Sequence, residues 1–150
     1  MTAAPSAVKF RKAYAVIATL AAAGIAVSSL SLYHHFSKSK TSFCDLGQAF
    51  NCDLVNRSSY STVFGVPVAL IGIIGYLLIL AFATVYREKA ETPFLLAAAA
   101  VAGLAFAFRL TYIEAFVLNA WCLLCLSSLS VILAITIVAN IQAAIILRRS

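Results

Sequence analysis

Charged residues are scarce in this sequence, and acidic residues are the scarcest. Only 5 of the 150 residues are Asp or Glu and 11 are Lys or Arg, whereas 63% are hydrophobic. A soluble domain is usually about 45–50% apolar, so this composition excludes an ordinary soluble fold and predicts several membrane crossings. Binding to nucleic acid is not expected from the excess of basic residues, because in a membrane protein such residues flank the spans.

The sequence also lacks internal repeats and any low-complexity linker, which predicts a single membrane domain over residues 1–150. In lipid each span must satisfy its own backbone hydrogen bonds, so the apolar runs are interpreted as helices. We expect an all-α membrane protein, a four-transmembrane-helix bundle with an outer cysteine-bearing loop over residues 34–62. The first run resembles a signal peptide, but its length favours an uncleaved anchor. The predicted helices cover residues of about 13–33, 63–85, 94–117 and 121–147.

Basic residues predict the orientation. Three groups fall on one face of a four-span protein, and seven basic residues there outnumber three on the other face. The positive-inside rule then makes both termini cytoplasmic, with the long loop and the start of the fourth helix facing outward. The membrane is expected to be the inner membrane of a bacterium. The seven are Lys9, Arg11, Lys12, Arg87, Lys89, Arg148 and Arg149, and the three are Lys38, Lys40 and Arg57.

Four cysteines fall at this outer face. Cys44 and Cys52 bracket a short polar loop, and Cys122 and Cys125 lie one turn apart at the start of the fourth helix. A helix N-terminus stabilises a thiolate, which is the attacking species in disulfide exchange. The outer face of a bacterial inner membrane is the periplasm, where disulfides persist. This placement favours a redox-active centre.

The pairing of the four thiols is open, because three connectivities are possible. If the loop folds over the end of the fourth helix, Cys52 can exchange with Cys122. Cys125 lies deeper by roughly 4.5 Å, given the rise per residue, and is better placed to meet a lipid-soluble oxidant such as a quinone. Two inert structural disulfides are the alternative interpretation. A four-thiolate zinc site is disfavoured by the wide spacing of Cys44 and Cys52, so no metal is predicted.

The cysteine loop and the last helix resemble the vitamin K epoxide reductase family. The matching residues are the Cys44-to-Cys52 segment, Ser58, Phe64-Gly65-Val66-Pro67 and Cys122-Leu-Leu-Cys125. The resemblance covers nearly the whole chain and implies a four-helix bundle around a quinone pocket capped by the cysteine loop.

The same resemblance implies roles for individual residues. Cys44 would exchange with a thioredoxin-like partner, Cys52 would pass electrons to Cys122, and Cys125 would face the quinone. Ser58 matches a serine near the family's active site, with a helix cap as its plainer interpretation. Phe64 and Trp121 are expected to contact the quinone together with Cys125 and Ser58.

Two departures from the animal enzymes bear on the substrate. Ser61 stands where they have an asparagine, and Leu129 stands where they have a tyrosine. We therefore expect a membrane thiol oxidoreductase that reoxidises a periplasmic thioredoxin-fold (DsbA-like) dithiol protein and reduces a quinone, of the menaquinone, ubiquinone or vitamin K type. The partner is expected to be a separate protein, since the chain ends at Ser150. Vitamin K epoxide reduction and a non-catalytic protein with structural disulfides are the alternatives.

Two charges lie within the third predicted span. Arg109 is expected to face the bundle interior, water or a partner, because a charge at that depth is costly. Glu114 lies nearer the outer end, where it is either an interfacial carboxylate or a proton acceptor beside the cysteines.

Overall fold

The computed structural model describes residues 5–37 and 50–149, with the side chains of residues 5–9 and 53 left aside. Most of this chain is helical, as the apolar runs predict. Three of its helices are long and apolar enough to cross a membrane, and a fourth is apolar but shorter. The helices are α1 (Pro5–Phe36), α2 (Cys52–Arg57), α3 (Val68–Thr84), α4 (Thr92–Ile113) and α5 (Leu123–Arg149).

The second predicted helix begins later than the sequence indicates. Residues Thr62–Val63 and Val66–Pro67 form strands β1 and β2 of a small antiparallel hairpin, and α3 starts only at Val68. Phe64 and Gly65 at the hairpin tip both have positive φ, at 52° and 79°, which is the backbone of a tight hairpin turn. The prediction of a helix from residue 63 is wrong, because hydropathy cannot separate apolar strand residues from helical ones.

Helix α4 has a well-defined start and an unusual end. Pro93 lies in its first turn, where the missing backbone donor costs nothing. At the other end, Glu114–Leu118 widen into a π-helical turn, and Asn119 stops the helix in the left-handed conformation with φ 48°. The N–H groups of Asn119 and Ala120 both bond to the carbonyl oxygen of Glu114. This end of α4 therefore leads into α5 through only four residues.

The four long helices pack around one apolar core. Helix α1 lies against α3 and α5, while α4 lies against α5 and α3. Small residues allow close approach: a Cβ on Gly24 would lie 2.4 Å from the ring of Tyr76. The Tyr76 hydroxyl in turn donates a hydrogen bond to the Ser128 carbonyl oxygen at 2.9 Å, which joins α3 to α5. The core includes Ile17, Ala21, Ile79, Leu96, Ala100, Ile135 and Ala139.

Arg109 does not point into this core. It lies on the exposed surface of α4, so the bundle interior is excluded as its location. On the outer surface of an apolar helix such as α4, the surroundings of the Arg109 side chain are lipid headgroups, water or another protein.

Candidate active site

A backbone contact joins the cysteine loop to the start of α5. Phe50 and Trp121 form an isolated parallel bridge, and the Asn51 N–H donates to the Trp121 carbonyl oxygen at 3.0 Å. The Asn51 side chain then caps α2 by accepting a hydrogen bond from the Leu54 N–H at 2.9 Å. These bonds place Cys52, the first residue of α2, directly beside the residue that follows Trp121.

That residue is Cys122, and the two sulfurs are in contact. Cys122 Sγ lies 3.5 Å from Cys52 Sγ, and the two residues are 0% and 2% exposed. Cys52 is disulfide-bonded, whereas Cys122 and Cys125 are free thiols. A bonded pair would be about 2.05 Å apart, so this is a thiol held against one sulfur of a disulfide. Such a contact is the starting arrangement for thiol–disulfide exchange.

Cys122 lies where a thiolate is stabilised. It directly precedes α5, and its carbonyl oxygen accepts the first helical bond, from the Leu126 N–H at 3.0 Å. A hydrogen bond from the Cys125 thiol lowers the pKa of Cys122, and the backbone N–H groups of Cys125 and Leu124 act in the same direction. Burial opposes the shift without cancelling it. Cys122 is therefore a better nucleophile at neutral pH than an ordinary buried thiol.

A buried carboxyl group lies beside both free thiols. Glu114, at the start of the π-helical turn, accepts a hydrogen bond from the Cys122 N–H on Oε2 at 3.2 Å. The Cys125 thiol also interacts with this carboxyl group, and the two side chains line the same cavity. Oε1 is buried and has no hydrogen-bond partner among residues 5–37 and 50–149. Sequence reasoning left the surroundings of Glu114 open, and the structure excludes a solvated interfacial position.

A cavity of about 420 Å³ opens beneath the cysteines, a size within the usual range for a small-molecule site. Its wall is mostly apolar and is built from α1, α2, α3, α4 and α5. Cys125 and Glu114 belong to this wall, whereas neither Cys52 nor Cys122 does. The sulfurs are thus ordered from Cys52 through Cys122 to Cys125, with the cavity beyond Cys125.

The structure places one of the other predicted site residues in the cavity wall and two outside it. Ser58 lines the cavity, and its hydroxyl donates to the Val55 carbonyl oxygen at 2.8 Å while the residue ends α2. Trp121 lies outside the cavity wall and contributes its backbone to the bridge. Phe64 is fully exposed at the hairpin tip, so this geometry gives no support to a quinone contact there. Cys44 lies outside the described residues.

Several polar residues of the cavity wall were missed by sequence reasoning. Asn56 is buried and accepts a hydrogen bond from the Ser31 hydroxyl at 2.8 Å, and its amide nitrogen has no partner in the part of the chain that the structure describes. Its carbonyl oxygen contacts His35 Nδ1 at 2.5 Å, which requires a proton on that nitrogen. The available signal was a set of isolated serines in apolar helices, since Ser28, Ser31 and Ser128 all line the cavity.

A comparison with protein families gives a match over most of the chain. The Vitamin K epoxide reductase family matches residues 15–140, which is more than four fifths of the chain and includes every site residue described above. No curated protein matches the sequence.

Proposed function

The chain belongs to the Vitamin K epoxide reductase family, a family of membrane oxidoreductases, and we propose that it reoxidises a thioredoxin-fold dithiol protein and passes the two electrons to a quinone. In this proposal Cys44 exchanges with the protein partner and is the disulfide partner of Cys52. The observation that carries the proposal is the order of Cys52, Cys122 and Cys125 toward the cavity.

Each exchange in the proposed relay conserves electrons. The partner dithiol reduces the Cys44–Cys52 disulfide and leaves as a disulfide. The Cys52 thiolate then attacks Cys122 of an oxidised Cys122–Cys125 pair, which forms a Cys52–Cys122 bond and releases the Cys125 thiolate. Attack of the Cys44 thiolate on Cys52 restores the loop disulfide and releases Cys122, and the two protons of the partner dithiol end on Cys122 and Cys125.

The redox state of the cysteines in the structure corresponds to the last exchange step of this relay. Cys52 is disulfide-bonded while Cys122 and Cys125 are both reduced, so the two electrons lie on the pair nearer the cavity. Two inert bridges, the alternative interpretation, would leave no free thiol in contact with a disulfide sulfur. The 3.5 Å contact between Cys122 and Cys52 therefore supports exchange.

The cavity suits a flat, largely apolar electron acceptor. Its wall combines apolar side chains with a few polar groups, among them Ser58, Ser128 and Tyr76. When bound, a quinone would supply two-electron chemistry and two oxygens that take up protons. Cys125 is the sulfur that would meet it, which is the role that the family resemblance implies.

We place this domain in the membrane as a four-helix bundle over residues 1–150. Helix α3 has 17 residues, or about 25 Å at 1.5 Å per residue, at the short end of what spans a bilayer. Arg87 and Lys89 follow α3 at the end of the bundle away from the cysteines, and α5 ends with further basic residues. The positive-inside rule supports cytoplasmic termini and outward-facing cysteines in a bacterial inner membrane.

Reduction of vitamin K epoxide is the alternative within the same family. Ser61 lines the cavity, but its hydroxyl already donates to the Ser58 carbonyl oxygen at 2.7 Å. Leu129, at the second departure from the animal enzymes, supplies no hydrogen-bond donor. The site thus offers neither of the side chains that the animal enzymes have at these two places, and a thiol oxidase is favoured.

The proposal is tested with purified protein, a reduced thioredoxin-fold protein and a soluble quinone. Wild-type protein should oxidise the partner only when quinone is present, and Cys125→Ala should abolish that dependence. Ser130→Ala is the matched control, because Ser130 is an exposed residue of the same helix and is not part of the cavity wall. Partner oxidation by wild type no faster than by Cys125→Ala would refute the proposed activity.

A further inference from the structure

Glu114 combines deep burial with direct contact to the proposed reacting groups. Its side chain is 2% exposed, and the π-helical turn at the end of α4 holds it under the start of α5. Single π-helical turns are rare in proteins as a whole. Those that do occur are often found at functional sites. This turn brings a residue eight positions before Cys122 back against the thiol pair.

The carboxyl group has polar neighbours but no balancing cation. Among the residues that the structure describes, Oε2 accepts the Cys122 N–H, the Cys125 thiol interacts with the carboxyl group, and Oε1 has no hydrogen-bond partner. Within the described part of the chain, no Lys, Arg or His forms an ion pair with Glu114. An uncompensated buried charge is costly, so such a group readily exchanges a proton with the neighbouring acids. The acids within reach are the thiols of Cys122 and Cys125.

The proposed reaction needs such a proton acceptor. A thiol becomes a strong reductant only as the thiolate, and Cys125 is half-buried in a mostly apolar cavity wall. We propose that Glu114 is a catalytic residue that takes the proton of the Cys125 thiol and delivers it to an oxygen of the reduced electron acceptor. This inference rests on the proposed function and adds the route of the proton to it.

The step balances in atoms and electrons. The S–H bonds of Cys122 and Cys125 break, and an S–S bond forms between the two sulfurs. The acceptor, a quinone, gains two electrons and two protons, one from Cys125 through Glu114 and one from the Cys122 thiol. Glu114 ends as it began and is ready for the next dithiol. Glu114 and Cys125 both belong to the cavity wall. The thiol that gives up the proton, the carboxyl group that carries it and the quinone oxygen that receives it would therefore lie in one site.

Glu114→Gln separates proton transfer from a purely structural role. Glutamine retains a carbonyl oxygen that can accept the Cys122 N–H, so the start of α5 keeps its hydrogen bond, but the side chain cannot accept a proton at neutral pH. Glu88→Gln is the matched control, because Glu88 is exposed in the connection between α3 and α4. Thermal unfolding in detergent verifies that both variants are folded.

The decisive experiment mixes fully reduced protein with a soluble quinone in a stopped-flow instrument and follows one turnover. General acid–base catalysis contributes at least about 100-fold, so Glu114→Gln should reduce the quinone about 100-fold more slowly at neutral pH and recover as the pH rises. Exchange between the reduced protein partner and the loop disulfide should be unchanged. Glu88→Gln should match wild type in both measurements.

The outcomes distinguish the two levels of the proposal. If wild-type protein does not reduce quinone, the proposed function itself fails. If wild type does so and Glu114→Gln is equally fast, or if its slower rate does not recover at high pH, the proton-transfer role is overturned while the proposed function stands.

Discussion

Two of the four cysteines can be removed so that only the pair that exchanges in the proposed relay remains. This pair should form a disulfide readily. In Cys44→Ala/Cys125→Ala the only thiols are Cys52 and Cys122, whose sulfurs lie 3.5 Å apart in the structure. Forming the bond requires an approach of about 1.5 Å, from 3.5 Å to the 2.05 Å of a disulfide. Mild oxidation should therefore give a complete Cys52–Cys122 cross-link with little change in the fold.

The matched variant Cys44→Ala/Cys122→Ala retains Cys52 and Cys125 instead. Cys125 is three residues further along α5, or about 4.5 Å in helical rise. Bringing it to Cys52 requires displacing the start of α5. That movement breaks the Asn51–Trp121 backbone bond at 3.0 Å and the bond from the Ala120 N–H to the preceding helix at 3.1 Å. At about 1 kcal/mol for each bond, the cross-link should be disfavoured by about 30-fold.

Mass spectrometry of non-reduced digests measures both cross-links over a time course of oxidation. The predicted result is a fast Cys52–Cys122 cross-link in the first variant and at least about 30-fold slower linkage in the second. Equal rates, or a first variant that forms only intermolecular dimers, would refute the ordered contact between the loop and α5.

Three further predictions concern packing and thiol chemistry. Gly24→Ala forces a methyl group to 2.4 Å from the Tyr76 ring and should destabilise the protein by about 1–3 kcal/mol in thermal or denaturant unfolding. The control Gly75→Ala should not be destabilised, because no described atom lies within 4 Å of the added methyl group. Equal stabilities of the two variants would contradict the close packing of α1 on α3. Tyr76→Phe removes the hydrogen bonds to α5 and should cost about 1 kcal/mol in the same measurement, and an unchanged stability would show that the hydroxyl is not bonded there. In a background without the loop cysteines, the ultraviolet absorbance of the Cys122 thiolate should appear at a lower pH than that at which an ordinary thiol ionises, because the pKa of Cys122 is lowered. Cys125→Ala should move this transition to higher pH, because it removes the thiol that contributes most to the lowered pKa. A transition that does not move would assign the lowered pKa to the helix terminus alone.

Hydropathy and single-residue signals predict the bundle but not its details. Pro93 marks the start of α4 because proline fits only the first turn of a helix. The hairpin before α3 was missed, because Val63, Phe64 and Val66 are as apolar as the helix that follows. Gly65 at the tip has a positive φ, a backbone conformation that glycine adopts without steric cost.

The site was partly predictable for a similar reason. The spacing of the cysteines predicts a redox-active centre, and the structure brings Cys52 and Cys122 into contact. Ser58 was indicated only by the family resemblance. The sequence leaves both roles of Glu114 open, because its contact with the thiols depends on a π-helical turn and on the left-handed Asn119, neither of which has a clear sequence signal. Asn56 was missed because its burial depends on how α2 packs over α1.

Electron balance in proteoliposomes tests the central claim most directly. Purified protein, reconstituted with quinone in the bilayer, would be supplied with a reduced thioredoxin-fold protein, and quinol and partner disulfide would be counted together. A two-electron relay predicts one quinol for each partner disulfide formed, and neither product when Cys125→Ala replaces wild type. Partner disulfide that accumulates without quinol, or quinol formation that persists in Cys125→Ala, would contradict a path that ends at Cys125.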